Sequence, residues 1–298
     1  MEQIIQIDNV NKKIGNKQII DHISMTVNKG DIYGLVGKNG AGKTTLMRMI
    51  LSMLAPDQGS IHIPENLIRK KRIGALIENP AFYPYMTVKE NLEYYRILKG
   101  ISDQTCVDQT IEEIGLKDAC HKKFKHLSLG MKQRLGIGLA LLGDPELLIL
   151  DEPINGLDPE GIREIRELIL KKHRTSHTTI LISSHILTEL SQMANRFGIL
   201  DQGRMIKEIT AEDMERETPN EIYVEVDDGE RAVRVIKELN REIAVRRIDA
   251  NKLMIEGQDC TVGNISQLLI RHEVRVDEIR RNTVSLEEYF IDLIRKEA

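Results

Sequence analysis

No uncharged apolar run in this chain reaches the ~18–20 residues needed to cross a bilayer. The nearest candidate, Leu135 to Leu150, is broken by Asp144-Pro145-Glu146. The opening Met1-Glu2-Gln3-Ile4 lacks the basic start and apolar stretch of a secretory leader, so none is expected. Cysteine is scarce. Cys106, Cys120 and Cys260 are odd in number and widely spaced, which excludes a disulfide framework and a paired metal motif and suits a reducing compartment. An excess of positive charge is also lacking. The formal net charge is −4, so no overall basic field draws the chain to nucleic acid or acidic lipid. Sustained heptads and low-complexity segments are missing too. With 298 residues, 41% hydrophobic and 30% charged, what remains is a globular chain with room for two domains.

What is present is a phosphate loop. Gly37-Lys38-Asn39-Gly40-Ala41-Gly42-Lys43-Thr44-Thr45 fits G-x-x-x-x-G-K-[ST]. Its glycines let the backbone curl until several N–H groups point at one anion. Lys43 supplies a charge for the β- and γ-phosphates, and the Thr44 hydroxyl suits Mg²⁺. Asp31 to Val36 reads as a short buried strand before the loop, and Thr45 to Leu51 as an amphipathic helix after it. Strand, loop and helix N-terminus in that order is the context the motif needs. A second element lies at Leu147-Leu148-Ile149-Leu150-Asp151-Glu152, an apolar strand ending in two acids. Ligands bind at such carboxyl edges of parallel sheets. Asp151 suits Mg²⁺, and Glu152 suits polarising an attacking water.

The rest of the chain alternates strand and helix, which predicts a parallel α/β core. Strands are expected at Ile4–Asp8, Ile19–Val27, Ile61–Ile63, Ile73–Ile77 and Thr179–Ile182. A turn falls at Pro56–Gly59. Thr87-Val88-Lys89-Glu90 reads as a capping box opening a helical region that runs to Gly143. Within it Ser128–Leu142 reads as a helix with one apolar face. Helices are also expected at Gly161–His173 and His185–Asn195. Thr218-Pro219-Asn220 suggests a boundary between domains of residues 1–215 and 220–298. Beyond it the order is strand (Glu221–Val226), helix (Glu230–Leu239), strand (Ile243–Ile248), strand (Lys252–Glu256), helix (Val262–His272), strand (Val274–Ile279). That is the β-α-β-β-α-β order of a small α+β, ferredoxin-like unit. A last helix spans Ser285–Arg295.

Leu127-Ser128-Leu129-Gly130-Met131-Lys132-Gln133-Arg134 resembles the signature of ATP-binding cassette (ABC) ATPases, L-S-G-G-Q followed by Q-R. Asn155-Gly156-Leu157-Asp158 resembles the D-loop, and His185 after Ser183-Ser184 resembles the switch histidine. The resemblance spans about residues 3–210. It implies a P-loop ABC core: a parallel sheet with antiparallel β and helical subdomains. It also implies ATP with Mg²⁺, a homodimer sandwiching two ATPs, and a separate transmembrane permease. The chain would then lie in the cytoplasm against the inner face of the membrane. Ser128 and Gly130 carry over as contacts to the ATP of the facing subunit, and Gln133 and Asp158 as nucleotide-binding residues, the latter in a loop that crosses the dimer interface. His185 carries over to the γ-phosphate, alongside Glu152 and Lys43.

Two positions depart from the family pattern. Ile14 stands where many members stack an aromatic on adenine, leaving apolar contact only. Glu78 stands where the family usually has the Q-loop glutamine, near the cation. Glutamate there is similar to a subgroup, the ATP-binding subunits of bacitracin and lantibiotic immunity exporters. Ser128–Ile137, Asn79–Tyr83 and Ser285–Phe290 resemble that subgroup as well. Phe82, Tyr83, Tyr85, Tyr94 and Tyr95 suit either a permease-docking surface or the helical region's own core. Two other readings compete: a soluble ABC protein acting on ribosomes or DNA, and a regulatory module whose carboxyl-terminal domain senses a ligand. The single cassette and the lack of a basic stripe count against the first, and Glu152 against the second.

Overall fold

The computed structural model describes residues 2–297 apart from 71, 79–80, 218–220, 240–242, 258–259 and 283–285. Asn79-Pro80, the boundary at Thr218-Pro219-Asn220 and Ser285 therefore lie outside the described residues. The chain forms two compact units, residues 1–211 with 293–298, and residues 212–292.

The first unit opens with two long antiparallel strands, β1 (Gln3–Ile14) and β2 (Lys17–Asn28). Both exceed the spans expected from the sequence. The pairing shifts register at several points, and Asn9 and His22 sit at φ 48° and 51°. Such bulges break the in–out alternation that marks a strand. Next come β3 (Ile32–Val36), the phosphate loop and α1 (Lys43–Ile50). β4 (Gln58–His62) pairs with β1 and begins inside the expected Pro56–Gly59 turn. After α2 (Glu65–Arg69) and β5 (Ile73–Leu76) the helical region begins with α3 (Val88–Lys99). Its capping box is formed: Glu90 N donates to Thr87 Oγ1 at 3.1 Å, and Thr87 N to Glu90 Oε2 at 2.7 Å. α4 (Thr105–Glu113) and α5 (Leu129–Leu141) complete it.

α5 is buried nearly all round from Leu135 onward, against the expected single apolar face. It inserts between β5 and α4. A Cβ on Gly74 would lie 2.0 Å from Ala140 O, and one on Gly138 2.7 Å from Ile114. Only glycine allows so close an approach.

β6 (Leu147–Leu150), α6 (Pro159–Ser176), β7 (Thr179–Ser184), α7 (Leu187–Ser191), β8 (Arg196–Asp201) and β9 (Arg204–Thr210) finish the unit. The main sheet runs β5-β6-β7-β3-β8-β9, parallel except at β9. Its central strands are buried throughout, as expected for strands covered on both faces. Leu35, Leu46, Met47, Ile50, Leu147, Ile149 and Leu181 share one core with β1 and β2. Each such side chain contributes about 1.5–3 kcal/mol on burial. α7 is shorter than the expected His185–Asn195. Ile186, at φ −94° and ψ 91°, is still extended, so the helix begins at Leu187.

The second unit follows through α8 (Ala211–Glu217), most of which belongs to it. It contains β10 (Glu221–Val226), α9 (Gly229–Leu239), β11 (Ala244–Arg247), β12 (Lys252–Glu256), α10 (Val262–Arg271), β13 (Val276–Asn282) and α11 (Leu286–Glu297), the last crossing into the residues grouped with the first unit. The expected β-α-β-β-α-β order is present. The sheet runs β11-β12-β10-β13, antiparallel throughout. Ile222, Val224 and Val226 alternate inward and pack with Ala232, Ile236, Ile265 and Leu269.

Candidate active site

The site forms at the carboxyl ends of β3, β5, β6 and β7. Gly40 and Gly42 take φ 83° and 108°, which turns the loop around into α1. α1 starts at Lys43, whose side chain is 6% exposed. Its ammonium donates to Gly37 O at 2.6 Å and Lys38 O at 3.3 Å, and lies 3.2 Å from Glu152 Oε1. That carboxylate oxygen is buried and has no hydrogen bond. Lys43 therefore folds back into its own loop, and a buried oxygen faces it without a full partner. An anion in the cradle would give Lys43 a stronger acceptor than the loop carbonyls.

Thr44 Oγ1 donates to Asp151 Oδ2 at 2.7 Å. Ser183 Oγ donates to Asp151 Oδ1 at 2.7 Å and accepts from Glu152 N at 2.9 Å. Ser183 thus fixes both acids, a role for which its place in the sequence gave no signal. Glu152 sits at φ 48°, and its Oε2 lies 2.7 Å from His185 Nδ1. Lys43, Glu152 and His185 form one chain of contacts. Thr44 and Asp151 present adjacent hard oxygens. No group of three or more His, Cys, Asp or Glu able to hold a metal occurs among the described residues. Mg²⁺ is usually held by one or two protein oxygens together with phosphates and water, and Thr44 and Asp151 offer such oxygens.

β5 carries Glu78 to the edge of this site, and the remaining expected residues fall elsewhere. Glu78 is bonded to Arg48 Nη2 at 2.6 Å. Ile14 ends β1 and is 54% exposed. Ser128 caps α5, its Oγ accepting from Met131 N at 3.3 Å, and Asp158 caps α6 through Gly161 N at 3.0 Å. Gly130 has open space beside it except for Leu157, and Gln133 is half-buried on α5.

The hairpin turn between β8 and β9 backs the phosphate loop and was not assigned from the sequence. Gly203 N donates to Ala41 O at 3.0 Å, and Gly203 O accepts from Asp21 N at 2.8 Å. Gln202 and Gly203 both have positive φ (45° and 83°), the pattern of a two-residue hairpin turn. A Cβ on Gly203 would lie 2.4 Å from Ile19 O. Gly203→Ala is expected to lower unfolding free energy by about 1–3 kcal/mol. Denaturant titration checks it, and an unchanged midpoint would show that the turn can relax.

Residues 20–155 match the family model described as ABC transporter. The bacitracin transport ATP-binding protein BcrA of Bacillus licheniformis is 38% identical over 301 residues, covering 99% of this chain and 98% of that protein. This chain belongs to the ABC transporter ATP-binding proteins. A shorter match, over residues 123–191, is to an AAA domain. The lantibiotic transport ATP-binding protein SrtF of Streptococcus pyogenes is 38% identical over 208 residues, 69% of this chain and 90% of that one. Among solved structures, the ADP conformation of the ATP-binding cassette MJ1267 aligns at TM-score 0.64 and 27% identity, over 72% of this chain and 93% of the cassette. An ABC ATPase core of α/β type is thus established, and with it ATP hydrolysis in a transporter subunit. No helix of the described residues is long and apolar enough to cross a membrane.

Proposed function

We propose that this chain is the ATP-hydrolysing subunit of a bacterial exporter that removes antimicrobial peptides of the bacitracin and lantibiotic kind. The observation that carries this reading is identity of 38% along 99% of the chain to a bacitracin transport ATP-binding protein. Residues 1–215 would form the cassette, and 220–298 an accessory domain. The chain would sit in the cytoplasm, held at the membrane by a separate permease.

In this reading the phosphate loop (Gly37, Lys38, Asn39, Gly40, Ala41, Gly42, Lys43, Thr44, Thr45) holds the triphosphate, with Ile14 against adenine. Thr44 and Asp151 would hold Mg²⁺, joined by Glu78, and the ion would neutralise phosphate charge. Glu152 orients and deprotonates the attacking water, and His185, bonded to Glu152, bonds the γ-phosphate. Ser128 and Gly130 serve the ATP of a second copy, and Gln133 and Asp158 take part in nucleotide binding.

The aromatic cluster divides between the two uses raised by the sequence. Phe82 is buried against Tyr95 and Phe124, so it belongs to the helical region's core. Tyr83 and Tyr85 are exposed, and with neighbouring Tyr94 they suit permease docking.

Deleting the gene from its native host is expected to raise sensitivity to bacitracin or a lantibiotic at least about fourfold. The wild-type gene should restore resistance and Glu152→Gln should not. Unchanged sensitivity to these peptides, with a polytopic partner still recovered from native membranes, would point to an exporter of other cargo.

A further inference from the structure

The helix after the phosphate loop carries two polar anchors on one face. Thr44 and Arg48 are four residues apart on α1, so they are neighbours along the helix surface. Thr44 bonds Asp151 at 2.7 Å, and Arg48 bonds Glu78 at 2.6 Å. The two acids leave adjacent strand ends. β5 and β6 run parallel with Leu76 opposite Leu150, and Asp151 N donates to Leu76 O at 2.8 Å. Asp151 and Glu78 therefore reach the same helix side by side, one through a hydroxyl and one through a guanidinium. Glu78 takes φ 57°, a conformation uncommon outside glycine, so the chain turns sharply where this carboxylate is presented.

We propose that Arg48 is a positioning residue that holds Glu78 aside from the cation site, so that Glu78 reaches the cation only when it leaves Arg48. The inference rests on the ATPase reading above. A glutamine at position 78 would need no cationic partner. A carboxylate beside triphosphate does, because like charges repel. The pair suits exchange better than locking. Arg48 is 40% exposed and Glu78 63%, and an ion pair so open to water is weak. A divalent cation with phosphate oxygens around it can take the carboxylate from the guanidinium. The cation and Arg48 thus compete for one group, and Arg48 sets how readily Glu78 becomes a ligand.

The test uses the full chain with a non-hydrolysable ATP analogue and Mn²⁺ as the probe, with free Mn²⁺ read by electron paramagnetic resonance. Analogue binding without metal is measured in parallel. Arg48→Met is expected to tighten Mn²⁺ about two- to fivefold, the range a solvent-exposed pair can hold back. Arg48→Lys should stay near the parent. Glu78→Gln should weaken Mn²⁺, and in that background Arg48→Met should change nothing. An equal effect of Arg48→Met in both backgrounds would show a simple through-space charge and overturn the inference. No effect of Arg48→Met in either would overturn it too. If Glu78→Gln leaves Mn²⁺ affinity unchanged while the analogue still binds, Glu78 is no ligand; the inference fails and the ATPase reading stands. If the parent fails to bind the analogue, both fall.

Discussion

Glu152→Gln is expected to bind ATP at least as well as the parent and to hydrolyse it about 100-fold or more slowly. General-base positioning is typically worth about 10²–10⁴-fold. The structure gives the reason for both halves. Glu152 Oε2 is bonded to His185, and its Oε1 is buried 3.2 Å from Lys43. Glutamine keeps the shape and an accepting oxygen for His185, so the site holds together. It removes the proton acceptor and one negative charge close to the phosphates. Phosphate-release rates and nucleotide titration separate the two effects. An unchanged rate would mean that another group takes the proton.

Lys43→Met should weaken ATP binding about 10- to 100-fold. Hydrogen bonds to charged groups contribute about 1.5–3 kcal/mol, and each 1.4 kcal/mol is tenfold. Lys43 is 6% exposed and its ammonium already lies among loop carbonyls, so little solvent screens it. The substitution also leaves Glu152 Oε1 facing an apolar chain. Removing one member of a buried pair strands the other. Lys43→Met with Glu152→Gln should therefore unfold at a higher temperature than Lys43→Met alone. Calorimetric titration with ATP, paired with thermal unfolding, checks both statements. Tight binding by Lys43→Met would remove Lys43 from the phosphate site.

The parts of this site that were legible from the sequence are contiguous. The phosphate loop and the Asp151-Glu152 strand end are each written in one short stretch with an apolar strand beside it. The carboxyl-terminal unit was legible for a related reason: β10 alternates cleanly, with Ile222, Val224 and Val226 inward. What was missed is made by tertiary contact. Ser183 touches both acids from a neighbouring strand, and Arg48 meets Glu78 across 30 positions of sequence. Gly203 supports the phosphate loop from 162 residues downstream of Ala41 through a backbone bond that carries no side-chain signature. The long β1–β2 pair hid behind its bulges. The helix expected from His185 starts later because Ile186 is still extended, at φ −94° and ψ 91°.

The proposed composite site is tested most directly by sedimentation of Glu152→Gln with and without ATP. The variant should run as a monomer alone and as a dimer with ATP, because each phosphate loop waits for Ser128 and Gly130 of a second copy. Adding Ser128→Arg should abolish the dimer while each monomer still binds ATP. Sedimentation indifferent to ATP, or a dimer that survives Ser128→Arg, would contradict a site shared between two chains.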